Sequence, residues 1–155
     1  MRALGAVPWL LPLLATTALA FGSGELPAPA TKPDTATAVA RYNEGVAFTA
    51  KGDWPKAEAA YHEAVMRKPD FPEAWNGLGH ALKMQRRFDD AVRAYQRALA
   101  LRPGYAQAME YLGETYVAMG KLGEARTLLA RLEPLDASLA ALLRRAIAQG
   151  GSAAW

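Results

Sequence analysis

Residues 72–105 read PEAWNGLGHALKMQRRFDDAVRAYQRALALRPGY and hold two amphipathic segments of helical period on either side of a short polar break. The break is Gln85-Arg86-Arg87, and Pro103 stands near the end of the second segment. A proline ends a helix because it lacks a backbone N–H and restricts the residue before it. The stretch therefore predicts a helix, a tight turn and a second helix.

The same pattern recurs on both sides of this stretch at an interval of 34 residues, without a gap. When the sequence is written in rows of 34 that begin at Ala38, Pro72 and Ala106, residues of similar size fall in the same column. The small columns are Gly45, Gly79 and Gly113, and Ala57, Ala91 and Ala125. The large columns are Phe48, Leu82 and Tyr116; Trp54, Phe88 and Leu122; and Tyr61, Tyr95 and Leu129. Small residues let the two helices of a row lie close, and the large ones fill the space between rows. The repeat predicts three stacked helical hairpins.

These residues resemble the tetratricopeptide repeat (TPR) family. The second row carries the family's signature at Trp75, Leu78, Gly79, Ala91, Tyr95, Ala98 and Pro103. The first row departs from it at Arg41 and Glu44, which implies an outer helix face open to water. The third row departs at Leu132 and Pro134, which implies a shortened second helix. The resemblance implies an all-α fold, a right-handed solenoid of three helix-turn-helix hairpins plus a C-terminal capping helix.

The expected domain covers residues 36–149, with repeats at about 38–71, 72–105 and 106–135. We expect its helices at about 36–50, 54–68, 71–85, 88–102, 105–119 and 122–133, and a capping helix at about 136–149. Asp136 is a suitable N-cap for that last helix, whose apolar stripe would cover the exposed face of the last hairpin. Residues 150–155 are a tail.

The N-terminal segment has the pattern of a signal peptide. Met1-Arg2 supplies one positive charge, no charged residue follows up to Gly24, and Ala18-Leu19-Ala20 matches a small-x-small cleavage site. We predict a signal peptide over residues 1–20 and a Pro/Ala-rich linker over 21–35. The expected location is exported, in a bacterial periplasm or secreted, with no integral membrane span after cleavage. The alternative is an uncleaved signal that anchors the protein in the membrane.

The composition argues against several functional classes. A net charge of +3, with dispersed basic residues, does not predict nucleic-acid binding. The chain has no cysteine, and His62 and His80 lack the spacing of a metal motif. Gly77-Leu78-Gly79 lies inside a predicted helix rather than in a phosphate-binding loop after a strand. We therefore expect no enzyme activity, catalytic residue, cofactor or metal.

The resemblance also implies where a partner binds, because the first helices of the rows line the concave face in this family. The candidate partner-binding groove carried over to this sequence is Tyr42, Asn43, Glu73, Asn76, His80, Lys83, Met84, Gln107, Glu110, Tyr111 and Glu114. The remaining groove positions are Val39, Val46, Thr49, Ala50, Val117 and Ala118.

The side chains of this set suggest a mixed-charge groove. Asn76 can hold a peptide backbone, since its amide both donates and accepts. We expect Lys83 and His80 to meet a carboxylate, and Glu110 and Glu114 to favour a basic segment. The carboxylate clamp that TPR co-chaperones use is absent, because Tyr42, Val46, Gly77, Gln107 and Tyr111 occupy its positions.

The predicted function is that of a non-catalytic adaptor that binds a protein or peptide segment in this groove, as a monomer or weak homodimer. The alternative is a structural or self-associating subunit of an envelope complex that docks through its hairpin ends. A mass that depends on concentration would favour the alternative.

Overall fold

The computed structural model describes residues 34–150, and this part of the chain is all-helical. Its elements are α1 (Thr35–Ala50), α2 (Trp54–Arg67), α3 (Pro72–Met84), α4 (Phe88–Leu101), α5 (Ala106–Ala118), α6 (Leu122–Leu132) and α7 (Ala137–Ala148). Every helix end lies within one residue of its expected position, and the all-α solenoid is confirmed. The predicted signal peptide, the linker up to residue 33 and the tail from residue 151 lie outside the described residues.

Aspartates cap the N-termini of three helices. The Asp34 carboxylate accepts from Thr37 N at 3.1 Å and the Asp53 carboxylate from Lys56 N at 3.3 Å. The Asp136 carboxylate accepts from the two backbone N–H groups of Ser138 and Leu139, each at 2.9 Å. Each such cap satisfies otherwise unpaired donors and contributes about 0.5–2 kcal/mol. The predicted N-cap of the last helix is thus confirmed.

The turns inside the three helix pairs share one left-handed position. Gly52, Arg86 and Gly120 have φ of 70°, 61° and 75° and stand 34 residues apart. In the first pair, Gly52 N donates to Thr49 O and Asp53 N to Phe48 O, both at 3.0 Å. This is the Schellman pattern, in which a residue with positive φ closes the helix end. Identical closures orient the second helix of each pair in the same way.

Tyrosine rings fill the space that the glycine column leaves open. A Cβ added at either Gly45 or Gly77 would lie 2.6 Å from the ring of Tyr61, which is only 4% exposed. Real Cβ atoms do not approach so closely, so both positions need glycine for α1 and α3 to enclose the ring. Gly79 holds Tyr95 in the same way.

The third helix pair departs from this repeat. The side chain that faces Gly113 is Leu143 of α7, not Leu129 of α6, which stands in the tyrosine column. The short α6 ends at Leu132, so α7 turns back and packs against both α5 and α6. Leu143 is fully buried there. The capping helix therefore supplies the contact that the repeat pattern assigns to α6. No helix of residues 34–150 is long and apolar enough to cross a membrane.

Candidate functional site

An open cleft of about 160 Å³ lies where α1, α3 and α5 come together. Its lining consists of Tyr42, Thr49, Tyr61, Asn76, Gly77, His80, Tyr105, Gln107 and Tyr111. Equivalent positions of successive repeats meet here because the first helices of the pairs stack side by side. Tyr42, Asn76, His80, Gln107 and Tyr111 of the predicted groove line the cleft, and so does Thr49 from the remaining groove positions.

The cleft is built mainly from aromatic rings. His80 stacks on Tyr111 with 5.0 Å between ring centroids and meets the edge of Trp54 at 5.5 Å. Tyr42 lies 5.0 Å from Phe71 and 5.8 Å from Tyr61. Such tilted and stacked pairs fix ring orientation and add stabilisation beyond area burial. The rings therefore form preorganised walls.

Three residues of this lining are outside the predicted groove positions: Tyr61, Gly77 and Tyr105. Tyr61 stands in a column assigned to packing, yet its ring also reaches the cleft, and its hydroxyl lies 3.2 Å from Thr49 Oγ1. Tyr105 precedes α5 and belongs to no predicted groove position. One available signal is that Tyr105 follows Pro103-Gly104, where a chain reversal brings the next residue back to the helix stack.

Two buried polar atoms at the cleft have no hydrogen-bond partner within residues 34–150: Asn76 Oδ1 and His80 Nδ1. Asn76 is only 6% exposed, and its side chain hydrogen-bonds the phenol of Tyr105. A buried acceptor without a partner costs about 1–3 kcal/mol, so native proteins rarely leave one. Both atoms are closed off from solvent, so a ligand in the cleft reaches them only if the side chains around them move.

His80 is neutral at physiological pH. Burial, followed by the nearby Lys83 ammonium, lowers the pKa of His80 to about 4, against an ordinary 6.5. Desolvation thus removes the charge that an ionic contact with a carboxylate would use, although a neutral imidazole can still donate a hydrogen bond. The expected contact between His80 and a partner carboxylate stays a prediction. The imidazole acts as an aromatic wall with one free ring nitrogen.

Lys83 is already paired inside the protein. Its Nζ lies 2.6 Å from Glu114 Oε2 and 4.9 Å from the centroid of the Tyr111 ring, and its side chain is 5% exposed. The expectation that Lys83 offers its charge to a partner carboxylate is wrong for the same geometry. A buried ammonium needs its counter-ion, and Glu114 of the next repeat supplies it.

Glu110 is buried rather than presented to a partner. It is 3% exposed, and burial followed by the neighbouring Glu114 raises its pKa to about 8. Glu110 is thus mostly protonated at neutral pH, and Glu114 is occupied by Lys83. The expectation that these two glutamates favour a basic segment is wrong, since neither presents an uncompensated negative charge.

The remaining predicted residues lie around or away from the cleft. Glu73 pairs with Arg102, whose guanidinium lies 4.8 Å from the Tyr105 ring. Burial, followed by the charge of Glu73, raises the pKa of Tyr105 and of Tyr42. Asn43 is exposed on α1, Met84 is partly buried at the end of α3, and neither lines the cleft. The charged residues next to the cleft are thus paired with opposite charges: Lys83 with Glu114, and Arg102 with Glu73.

Family models match the centre of the chain. A model described as "Tetratricopeptide repeat" matches residues 72–105, and one described as "TPR repeat" matches residues 45–86. Among curated proteins, the peroxisomal targeting signal receptors of Saccharomyces cerevisiae and Candida albicans are 32% and 35% identical over 81 residues. Those matches cover 52% of this chain but only 13% and 14% of the receptors.

Solved structures share the fold. The first TPR of Spaghetti, bound to an HSP90 peptide, has a TM-score of 0.72 at 22% identity and covers 79% of this chain and 98% of its own. The TPR2B domain of yeast Sti1, in a complex with pHsp70, has a TM-score of 0.69, also at 22% identity. That match covers 74% of this chain and 96% of the domain.

Proposed function

Because this chain belongs to the tetratricopeptide-repeat family, we propose that it is a non-catalytic, exported adaptor that binds a peptide segment of a partner in the cleft between α1, α3 and α5. The observation that carries the proposal is the cleft itself, whose walls are aromatic rings and whose lining includes the amide side chains of Asn76 and Gln107. Export rests on the signal pattern of residues 1–20.

The comparisons support peptide binding as the general activity. The Spaghetti domain is described with a bound HSP90 peptide, and the curated relatives are named as receptors for a targeting signal. Both descriptions belong to those proteins. For this chain they favour a protein-interaction module over a catalyst, and the choice of partner depends on its own lining residues.

An extended peptide fits the hydrogen-bonding chemistry of the cleft. Its backbone presents N–H donors and C=O acceptors, and the amide side chains of Asn76 and Gln107 in the lining can pair with either kind of group. The Gln107 side chain donates to the Tyr111 hydroxyl at 3.2 Å on the partly exposed side of the same cleft, where it can exchange partners with water or ligand. Aromatic walls supply most of the apolar contact at low entropic cost, because their rings are already held by one another.

A random-peptide display selection on the immobilised full chain tests the proposal, with Asn76→Ala and the matched Asn43→Ala as variants. Asn43, on α1, is likewise an asparagine of the predicted groove, but it is exposed and outside the cleft. We expect the enriched peptides to bind Asn76→Ala about 3-fold to 10-fold more weakly, as loss of one hydrogen bond predicts. Binding to Asn43→Ala should change less than about 2-fold.

Circular dichroism and thermal melting establish that both variants are folded. Selected peptides that bind the folded Asn76→Ala protein as tightly as the wild type would place peptide binding elsewhere. A selection that enriches no peptide would count against a peptide-binding function.

A further inference from the structure

The tyrosine phenols of the cleft act towards a ligand as hydrogen-bond donors. The Tyr111 oxygen accepts from Gln107 Nε2 at 3.2 Å, and the Tyr105 phenol hydrogen-bonds the amide of Asn76. Because Asn76 Oδ1 has no partner, Asn76 Nδ2 is the atom that bonds Tyr105. An amide nitrogen only donates, so both phenols keep their own hydrogen for a further acceptor. The phenol of Tyr42 lines the same cleft and has no hydrogen-bond partner within residues 34–150.

Most acceptors of the cleft are closed off or already paired. Asn76 Oδ1 and His80 Nδ1 are closed off from solvent. The hydroxyls of Thr49 and Tyr61 lie 3.2 Å apart and bond each other. One acceptor that stays open is the amide oxygen of Gln107, an exposed residue. A peptide N–H that leaves water without finding an acceptor lowers affinity, so a backbone with few N–H groups is favoured.

The charged side chains beside the cleft are already neutralised by each other. Lys83 Nζ lies 2.6 Å from Glu114 Oε2, and Arg102 pairs with Glu73. Each pair is close to neutral as a unit, so it neither attracts nor repels a charged ligand strongly. A charged side chain would therefore leave water without gaining a counter-charge, and an uncharged segment suits the cleft best.

Proline combines the properties that this lining favours. It has no backbone N–H, keeps its carbonyl acceptor and carries no charge. A proline-rich segment is also already extended as a polyproline II helix, and aromatic-lined grooves bind such segments with little loss of conformational entropy. The rings that would meet it come from different repeats, since Tyr42 lies on α1 and Tyr105 directly precedes α5.

We infer that the cleft binds an uncharged, proline-rich segment of the partner protein. The carbonyl groups of the segment accept from the phenols of Tyr42, Tyr105 and Tyr111, and its pyrrolidine rings pack against the tyrosine rings. The inference deepens the proposed function and rests on it. Proline is selected over other residues by the missing N–H, and over lysine and glutamate by the absence of a free counter-charge.

NMR titration of the isotope-labelled full chain with short peptides tests the inference without a known partner. The proline probe is acetyl-Ala-Pro-Pro-Ala-Pro-Pro-Ala-amide, and the alanine probe has alanine in place of every proline. Two further probes carry lysine or glutamate in place of the central alanine of the proline probe. We expect the proline probe to shift the side-chain amide signals of Gln107 and to bind with a Kd of roughly 0.1–1 mM.

The other probes should bind more weakly. The alanine probe should lose at least about 5-fold in affinity, as one N–H left without an acceptor predicts. The lysine and glutamate probes should each lose at least about 2-fold, because their charges leave water without compensation.

Tyr42→Phe and Tyr111→Phe keep the rings and remove one phenol donor each. Each should weaken binding of the proline probe about 3-fold to 10-fold. Tyr116→Phe, also on α5 but outside the cleft, is the matched control and should change binding less than about 2-fold. Intermolecular NOEs from the proline ring protons to the rings of Tyr42 and Tyr105 locate the probe on the wild type. The NOEs therefore decide the matter if a variant does not fold.

Several results would overturn the proline-binding cleft. They are equal or tighter binding of the alanine, lysine or glutamate probe, no saturable binding of the proline probe, unchanged affinity of folded Tyr42→Phe and Tyr111→Phe, and NOEs that place the probe elsewhere.

These outcomes remain distinct from the fate of the proposed function. Display-selected peptides that lack proline but weaken on Asn76→Ala would refute the preference for proline and leave peptide binding in the cleft standing. Peptides that are enriched in proline and weaken on Tyr42→Phe would support both. A selection that enriches no peptide, together with no binding of the proline probe, would count against both.

Discussion

Burial changes the ionisation of two groove residues in opposite directions. The folded chain holds a proton on Glu110 up to pH about 8, whereas an exposed glutamate releases it near 4.5. It keeps His80 neutral down to pH about 4, whereas an exposed histidine gains a proton near 6.5. The Glu110 contribution to stability is therefore present below pH 4.5 and is lost as pH rises to about 8. The His80 contribution is present above pH 6.5 and is lost as pH falls to about 4.

Glu110→Gln should remove the loss of stability that Glu110 causes as pH rises, because glutamine mimics the protonated carboxyl and cannot ionise. Its free energy of unfolding, relative to wild type, should rise by on the order of a few kcal/mol between pH 5 and pH 8. Urea denaturation at intervals across this range measures the difference. Glu124→Gln, at an exposed glutamate of α6, is the control and should leave the wild-type pH dependence unchanged. Parallel curves for Glu110→Gln and wild type would mean that Glu110 is ionised in the folded state.

At the scale of the elements, the turn within each helix pair determines how the second helix leaves the first. Gly52 and Gly120 adopt a left-handed conformation that glycine tolerates without strain, and Arg86 adopts the same conformation with a side chain. In the α3–α4 turn, Arg87 N donates to Leu82 O at 3.0 Å, the same closure as in the first pair. The Arg86 side chain lies 6.0 Å from the Phe88 ring, a contact too weak to require arginine.

Arg86→Gly should stabilise the protein by about 0.5–1 kcal/mol, since relief of left-handed strain exceeds the entropy that glycine adds to the unfolded chain. Gly120→Ala, which introduces a side chain at the equivalent position, should destabilise it by about 1 kcal/mol. Thermal and chemical denaturation measure both. A destabilised Arg86→Gly protein would show that the arginine makes contacts worth more than the strain.

At the scale of the whole described array, α7 completes the stack. Leu143 fills the space beside Gly113 that tyrosines fill beside Gly45 and Gly79 in the earlier repeats. Stability in such arrays is approximately a sum of repeat and interface terms, so loss at one interface acts mainly on its neighbours. The α7 interface therefore protects the third helix pair in particular.

Leu143→Ala should lower the free energy of unfolding by about 2–5 kcal/mol, because it leaves a cavity at a fully buried site. Leu142→Ala is a matched control on the same helix, 42% exposed, and should cost less than about 1 kcal/mol. Hydrogen exchange should show the loss of protection concentrated in α5, α6 and α7. Uniform loss from α1 to α7 would instead indicate a single all-or-none unit.

The amino-acid sequence by itself determined the helix bounds, the Asp136 cap, the turn positions and the all-α solenoid. These features depend on residues that are close in the chain or recur every 34 positions, so local chemistry and periodicity are sufficient. Asn76 was named through the resemblance to the tetratricopeptide repeat family, which places its position on the concave face.

Tertiary structure alone decided what those face residues can do. Lys83 and Glu114 lie 31 residues apart in the chain, and their contact turns two expected ligand-binding charges into an internal pair. His80 and Glu110 become neutral because neighbouring repeats exclude water from them. Tyr61 and Tyr105 line the cleft, and Leu143 rather than Leu129 packs beside Gly113, because helices that are distant in sequence pack together there. Burial and charge pairing depend on the three-dimensional neighbours of a residue, which its position within a repeat does not specify.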